Sequence, residues 1–243
     1  MTGASRTRFA EVVRSEPVDV ALACLLVGAE VDPSLEPGPW LAELDALAWE
    51  VPTGLPPHEA LGTVLGGFRG SAEDYDDLRS SLLHEVLRRR RGLPILLSVV
   101  WCEVARRCGW QAACLGRPGH VLTVVEHVVV DPFHGGGVRD VEAEPVLGAN
   151  DLLLRVLTNI RALAGRQGPS LEAVRTRLWA TELSLLLPRH PLDLRRERGE
   201  LLVRSGSYVE GAVELEDYAD VVPSTESADA ARATARLARA RLN

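Results

Sequence analysis

Residues 120–134 read HVLTVVEHVVVDPFH, and this stretch decides the fold. Its two valine-rich runs have high β propensity and are separated by the polar pair Glu126-His127. A two-residue loop between two such runs predicts a β-hairpin. Val125 then pairs with Val128, and further from the loop Leu122 lies opposite Asp131.

This register brings His120 close to Asp131. Side chains alternate along a strand, so the two residues share a face as diagonal neighbours, with a Cα separation of about 5 to 8 Å. A carboxylate bonded to one ring nitrogen fixes the tautomer of a histidine and prepares it for acid–base chemistry. A histidine–aspartate pair with a purely structural role in a protein core makes the same bond. A hairpin loop of three residues instead of two would turn Asp131 to the opposite face. The pair is therefore a candidate catalytic dyad whose role is open.

A strongly apolar helix is predicted just before the hairpin, over Ile95–Cys108. Gly92 and Pro94 separate it from another predicted helix over residues 78–90. A short strand over residues 111–115 lies between the apolar helix and the hairpin, and the second hairpin strand is predicted to run on to Phe133. The predicted fold class is α+β, with a helix packed against a small antiparallel sheet.

Helical segments flank this core on both sides. Residues 8–49 have helical apolar spacing, with a break at residues 36–39. After the core, residues 150–163 and 170–187 are predicted helices. Beyond Pro188 the sequence matches a tetratricopeptide repeat, whose period is about 34 residues. An unrelated helical hairpin is the alternative for this tail.

Composition limits the functional classes. The chain has 243 residues, a formal charge of −7 and 46% hydrophobic residues, as in ordinary globular proteins. No apolar run approaches the roughly 20 residues of a membrane-spanning helix, and no secretory signal is recognisable, so a cytoplasmic location without membrane partners is expected. The acidic balance argues against nucleic-acid binding, with one local exception at Arg88–Arg91.

Several cofactor chemistries are also excluded. All 27 basic residues are arginine, so Schiff-base and P-loop lysine chemistry are absent. The cysteines form no CxxC pair and are predicted to be reduced core thiols; they are Cys24, Cys102, Cys108 and Cys114. His120, His127 and His134 recur every seven residues, but His127 lies at the predicted hairpin tip. No metal site and no cofactor are therefore expected.

Several motifs around the hairpin resemble the SirB-type branch of the transglutaminase-like superfamily. They are GLPI at 92–95 with Leu97-Ser98, EVARRCG at 103–109, PGH at 118–120 and VDPFHGG at 130–136, with similarity reaching upstream through 81–87. The resemblance implies an N-terminal helical segment at 1–70, a papain- or transglutaminase-like core at 71–165, and a tetratricopeptide-like region at 166–243. In catalytic relatives a cysteine opens the core helix, a histidine starts the next strand, and an aspartate follows on another strand.

On this resemblance, His120 and Asp131 occupy the histidine and aspartate positions, while the cysteine position falls near Pro94-Ile95. Neither of these two residues is a nucleophile. Ser98 lies about one turn inside the helix and is a candidate only if the register is displaced. Its alternative role is that of a small polar helix residue bonded to a carbonyl.

The chain also differs at several positions from the residues that are usual in that branch. Asparagines are usual where Ser80 and His84 stand, and a serine is usual where Leu96 stands. His84 and Glu85 are therefore candidate binding residues that could replace the missing polar groups. Their alternative role is that of ordinary surface helix residues.

The sequence favours a non-catalytic, regulatory transglutaminase-like module that binds a peptide or protein beside His120, with the helical tail as a second surface. The alternative is a cysteine-independent hydrolase or acyltransferase in which His120 and Asp131 activate Ser98 or water. A DNA-binding regulator rests only on the short arginine run. Protein or peptide partners are expected, nucleic acid is not, and the oligomeric state is open.

Overall fold

Eleven α-helices and one four-stranded antiparallel sheet make up the part of the chain that the computed structural model describes, residues 3–141 and 144–241. The chain divides into two compact units, Met1–Val156 and Leu157–Asn243. The three-part division at residues 70 and 165 stays a prediction. No helix in the described ranges is long and apolar enough to cross a membrane.

The first unit places six helices before the sheet. They are α1 (Gly3–Val12), α2 (Val20–Gly28), α3 (Pro37–Trp49), α4 (Pro57–Leu65), α5 (Leu83–Arg89) and α6 (Pro94–Arg107). The sheet contains β1 (Ala112–Arg117), β2 (His120–Val125), β3 (Val128–Asp131) and β4 (Gly137–Val138), in that order. Three short 3-10 helices cover Ala72–Asp76, Leu78–Ser81 and Pro132–His134.

Helix α6 forms the centre of this unit. Pro94 begins it, which suits proline because N–H groups in the first turn of a helix have no partner within that helix. Every residue from Pro94 to Ala105 is buried. The helix packs on β1 and β2 and also contacts α3, α4 and α5. A helix that is buried on all sides needs an apolar sequence around its whole circumference. The predicted α+β fold, with flanking helices, is confirmed.

The hairpin has the predicted register. Val125 pairs with Val128, and Thr123 with Val130. Glu126 opens the two-residue turn in the left-handed region, with φ 53°, as the turns of tight hairpins require.

The predicted extension of the second strand to Phe133 is wrong. Strand β3 ends at Asp131 because Pro132 has no N–H to offer a neighbouring strand and begins a 3-10 turn. Gly135, in the left-handed region with φ 77°, closes this turn. The chain then returns as β4, which pairs with the end of β3.

The predicted continuous helix over residues 78–90 is also wrong. Leu78–Ser81 forms a 3-10 turn, Leu82 is extended, and α5 begins only at Leu83. The carbonyl of Ser80 accepts a hydrogen bond from the Leu93 N–H, at 3.0 Å, instead of continuing a helix. This bond ties the turn to the start of α6.

The second unit is helical throughout its described residues. Helix α7 (Ala149–Arg166) spans the boundary, and it is followed by α8 (Leu171–Leu186), α9 (Asp193–Ser205), α10 (Tyr208–Val221) and α11 (Thr225–Ala240). From α8 onward each helix packs on the next. Ser170 caps α8 by accepting a hydrogen bond from the Ala173 N–H. The assignment of these helices to a tetratricopeptide repeat stays a prediction.

Helices α9 and α10 approach closely at two glycines. A Cβ atom on Gly211 would lie 2.8 Å from the Gly199 carbonyl oxygen and 2.9 Å from the Val203 amide nitrogen. Both contacts are with backbone atoms, which cannot swing aside as a side chain can. The helix pair therefore requires glycine at position 211.

We expect Gly211→Ala to lower the free energy of unfolding by about 1 to 3 kcal/mol, because overpacking forces α9 and α10 apart. The matched control is Gly165→Ala in α7, where the nearest atom to the new Cβ is an Arg177 guanidinium nitrogen at 3.8 Å. That change should raise stability by about 0.5 to 1 kcal/mol through helix propensity alone. Urea unfolding followed by circular dichroism measures both. Equal stability of the two variants would contradict the close approach.

Candidate functional site

The candidate site lies where β2 begins and β3 ends. His120 is the first residue of β2, and its Nε2 lies 3.0 Å from Oδ1 of Asp131. The side chain of His120 is 24% exposed and that of Asp131 is 5% exposed, so solvent reaches the imidazole but hardly the carboxylate. The structure thus brings together the two residues that the sequence predicted as neighbours.

Asp131 has further partners that the sequence did not reveal. Its second oxygen, Oδ2, lies 2.8 Å from His134 Nδ1 and accepts hydrogen bonds from Arg139 Nε and Nη2 at 3.2 and 3.1 Å. Burial alone would raise the pKa of Asp131, but the bonds with His120, His134 and Arg139 outweigh it and hold that pKa well below its ordinary value. The carboxylate is therefore ionised and held by three side chains.

Aromatic rings and an arginine fix the surroundings of His120. The edge of Phe133 meets the imidazole with ring centroids 5.7 Å apart, and Tyr75 lies 6.2 Å from Phe133. Phe133 fits only because residue 70 is glycine: a Cβ there would lie 1.9 Å from the ring. Arg155 donates hydrogen bonds to the carbonyls of Arg117 and His120, across the β1–β2 turn.

The structure places Ser98 inside the fold. Its side chain is fully buried, and its hydroxyl donates to the carbonyl of Val121 at 3.4 Å. This bond joins α6 to β2 one residue beyond His120. Pro94 and Ile95, at the position expected for a cysteine nucleophile, are both buried.

Three of the predicted core cysteines are buried, whereas Cys108, at the end of α6, is only half-buried. Cys102 and Cys114 contact each other at 3.6 Å, and Cys108 donates to the Ala48 carbonyl at 3.7 Å. Burial raises the pKa of Cys24 and of Cys108, and the Cys102 contact together with burial raises that of Cys114. Thiols whose pKa is raised remain protonated and are poor nucleophiles.

His84 and Glu85 line a separate groove of about 670 Å³ between α5 and the segment from Val31 to Trp40. His84 is 6% exposed, and its ring makes a T-shaped contact with that of Trp40, with the ring centroids 5.9 Å apart. Burial lowers the pKa of His84, which favours the neutral imidazole. Glu85 pairs with Arg88 at 2.6 Å, so its charge is partly compensated.

The arginine run at 88–91 is held by protein groups. Arg89 lies 3.1 Å from Asp77, Arg91 lies 3.3 Å from Asp74, and Arg90 stacks over Phe68. Asp74 is 2% exposed and also accepts a 2.8 Å hydrogen bond from the Ser80 hydroxyl. Ser80 therefore takes part in a polar network near the start of α6, at a position where the branch that the motifs resemble usually has asparagine.

The sequence analysis did not predict His134 or Arg139 as partners of Asp131, and it considered His134 only as one of three histidines seven residues apart. A signal for His134 was present, since Pro132 directly follows Asp131 and favours a turn, and residues three apart in a 3-10 turn lie on the same side. Arg139 follows three glycines and carried no comparable signal.

Comparison with known proteins identifies the family. The model of the transglutaminase-like superfamily matches residues 39–151, which contain His120, Asp131, His134 and Arg139. A UPF0162 protein of Xylella fastidiosa (strain Temecula1) is 31% identical over 192 residues, covering 68% of this chain and 67% of the relative. The chain belongs to the UPF0162 family, and its residues 39–151 form a transglutaminase-like region.

Other relatives extend this result. The UPF0162 protein PA3419 of Pseudomonas aeruginosa is 27% identical over 194 residues, covering 68% of this chain and 72% of the relative. F-box only protein 21 of Mus musculus is 27% identical over 126 residues, but these are 42% of this transglutaminase-like chain and 20% of that protein. No solved structure matches the chain. The SirB-type branch stays a prediction.

We expect Asp131→Asn to lower the free energy of unfolding of this transglutaminase-like protein by about 2 to 4 kcal/mol, since an amide cannot replace a buried charge with three partners. The matched control, Asp140→Asn, changes an exposed carboxylate nearby and should cost less than about 0.5 kcal/mol.

The difference in free energy of unfolding between the wild type and Asp131→Asn should also depend on pH. The depressed pKa means that the folded state binds the proton less readily than the unfolded state does. The wild-type advantage should be complete above about pH 4, where a free carboxyl is ionised, and should disappear as the pH falls through the lower folded-state pKa. Urea unfolding at several pH values measures it. A wild type and an Asp131→Asn variant of equal stability at pH 7 would refute the role of the carboxylate.

Proposed function

We propose that this transglutaminase-like protein is a non-catalytic regulatory module that binds a peptide or protein segment beside His120. The observation that carries the proposal is the contrast within the site. The His120–Asp131 pair is assembled at 3.0 Å, while the Ser98 hydroxyl is buried and bonded to the Val121 carbonyl. In this proposal the pair serves recognition, because the hydroxyl next to it is not placed to act as a nucleophile.

The surroundings of His120 suit recognition of an extended peptide. Asp131 holds Nε2, and the other ring nitrogen, Nδ1, has no hydrogen bond within the described residues, so it is available to a peptide N–H or C=O group. Phe133 and the partly exposed Tyr75 add an aromatic flank. Apolar contact combined with a few fixed polar groups is typical of binding sites.

His84 and Glu85 belong to the same proposal as a second contact region. The carboxylates of Asp32 and Glu36 line their groove beside the Trp40 ring. Glu85 is already paired with Arg88, and Arg79, which also lines the groove, is paired with Asp77, so the carboxylates of Asp32 and Glu36 supply the remaining negative charge. A segment of the partner with a basic side chain is the occupant that fits this charge.

The tetratricopeptide-like tail is proposed as a further partner surface. Val209 and Val213 lie one turn apart on α10 and are 51% and 45% exposed, and Leu237 on α11 is 69% exposed. Exposed apolar residues on repeat-type helices are commonly used for protein contacts. We also propose a cytoplasmic location for the protein, as the sequence led us to expect.

A cysteine-independent hydrolase or acyltransferase is the second candidate, and it is favoured by one observation. The bond to Asp131 leaves a partly exposed imidazole able to activate water. An activity assay of the wild type and His120→Ala separates the two functions.

The decisive activity experiment incubates the wild type and His120→Ala with glutamine-containing and ester acyl-donor peptides, and separately with serine- and cysteine-reactive probes. Under the proposal, product formation stays at the uncatalysed rate for both proteins, and neither probe labels folded protein. Turnover by the wild type that His120→Ala abolishes would establish the enzyme instead.

The binding experiment selects peptides from an immobilised random library with the wild-type protein. Affinity for the selected peptides should fall about tenfold in His120→Ala, as expected for the loss of one central contact. The matched control is His127→Ala, which removes a histidine from the tip of the same hairpin and should leave affinity unchanged. Equal losses in both variants, or no selected peptides, would contradict binding at His120.

A further inference from the structure

A second histidine approaches the dyad from the turn after β3. The His120 and His134 rings lie with centroids 6.0 Å apart, and each places a ring nitrogen on a different oxygen of Asp131. The three potential ligand atoms, one from each residue, all lie within 4.8 Å of one another. Two imidazole nitrogens and one carboxylate oxygen are thus close enough together to bind one ion.

This set of donors is the one that zinc-class ions prefer. Imidazole and carboxylate bind Zn²⁺ at about 2.0 to 2.2 Å, so tetrahedral ligand atoms lie roughly 3.3 Å apart. With one Asp131 oxygen as the ligand, one nitrogen–oxygen distance, 3.0 Å from His120 or 2.8 Å from His134, is close to that spacing, and the other ligand atoms lie within 4.8 Å of one another. An ion bound here would take the place of the protons that the two hydrogen bonds to Asp131 now hold.

We propose that His120, Asp131 and His134 form a binding site for a divalent transition-metal ion of the zinc class, with at least one coordination position open to water or another ligand. The inference goes beyond the proposed function and does not depend on it. Mg²⁺ and Ca²⁺, which prefer oxygen ligands, do not fit a site with two imidazoles.

The backbone of the turn is held in place without a metal. Pro132 begins it, and Gly136 (φ 86°) lies against the buried indole of Trp101, where a Cβ would come within 2.3 Å of the ring. His134 is therefore positioned by packing around it, while its own side chain is 57% exposed. An ion can enter from solvent on this side.

Arg139 has two opposing effects on such a site. Its guanidinium bonds Oδ2 of Asp131 at 3.1 and 3.2 Å and so orients the carboxylate, as partners of metal ligands usually do. Its positive charge also repels a cation bound a few ångströms away. Removal of this charge should strengthen binding of the ion, whereas loss of a ligand should weaken it.

The experiment uses the full chain without an affinity tag and titrates it with Zn²⁺ by calorimetry and with Co²⁺ by visible absorption. We expect one ion per chain and tetrahedral-type Co²⁺ bands. His134→Gln should weaken binding at least tenfold, and Arg139→Gln should strengthen it several-fold. His127→Gln, on the exposed hairpin tip, is the control and should bind as the wild type does.

Because His134 is exposed, its substitution should leave the fold intact, and circular dichroism verifies this. The proposal is overturned if the wild type binds no stoichiometric Zn²⁺. It is equally overturned if His134→Gln binds as tightly as the wild type, or if His127→Gln loses as much affinity as His134→Gln. Peptide binding is measured separately on His134→Gln, so failure of the metal site is distinguishable from failure of the recognition site.

Discussion

The site depends on one nearly buried carboxylate. Asp131 is 3% exposed, and an ionised group at that depth is tolerated only when several donors compensate for lost hydration. His120 comes from β2, His134 from the turn after β3, and Arg139 from beyond β4, so one side chain ties together three separate segments. The orientation of the His120 imidazole follows from this constraint.

The second constraint is the burial of α6. Its apolar side chains must be shielded from water on every side, and the sheet and helices α3, α4 and α5 pack around it to do so. Its first turn is then secured by polar contacts: the Ser80 carbonyl accepts from Leu93, and the Ser80 hydroxyl donates to Asp74. In a catalytic relative this end of the helix would carry the nucleophile. Here the local polar groups are used to hold the helix.

The hairpin could be predicted from the sequence because its register depends on local features. A two-residue loop at Glu126-His127 and alternating side chains are enough to make His120 and Asp131 neighbours. His134 could not be placed in the same way. On a continued strand, residues three apart point to opposite faces, whereas the 3-10 turn from Pro132 puts His134 beside Asp131. That turn depends on Gly136 meeting Trp101, a contact between distant segments that spacing does not reveal.

The number of partners of Asp131 also bears on function. In an acid–base triad the carboxylate stabilises one imidazolium as it forms, and its charge serves that histidine alone. Here Oδ2 is shared by His134 and Arg139, so much of the negative charge is already compensated before His120 changes protonation. Because its charge is shared, the Asp131 carboxylate stabilises a His120 imidazolium less than it would in a catalytic triad. The same bonds hold the carboxylate, and with it the imidazole, in a fixed orientation. A rigid, solvent-accessible ring suits a group whose task is to bind.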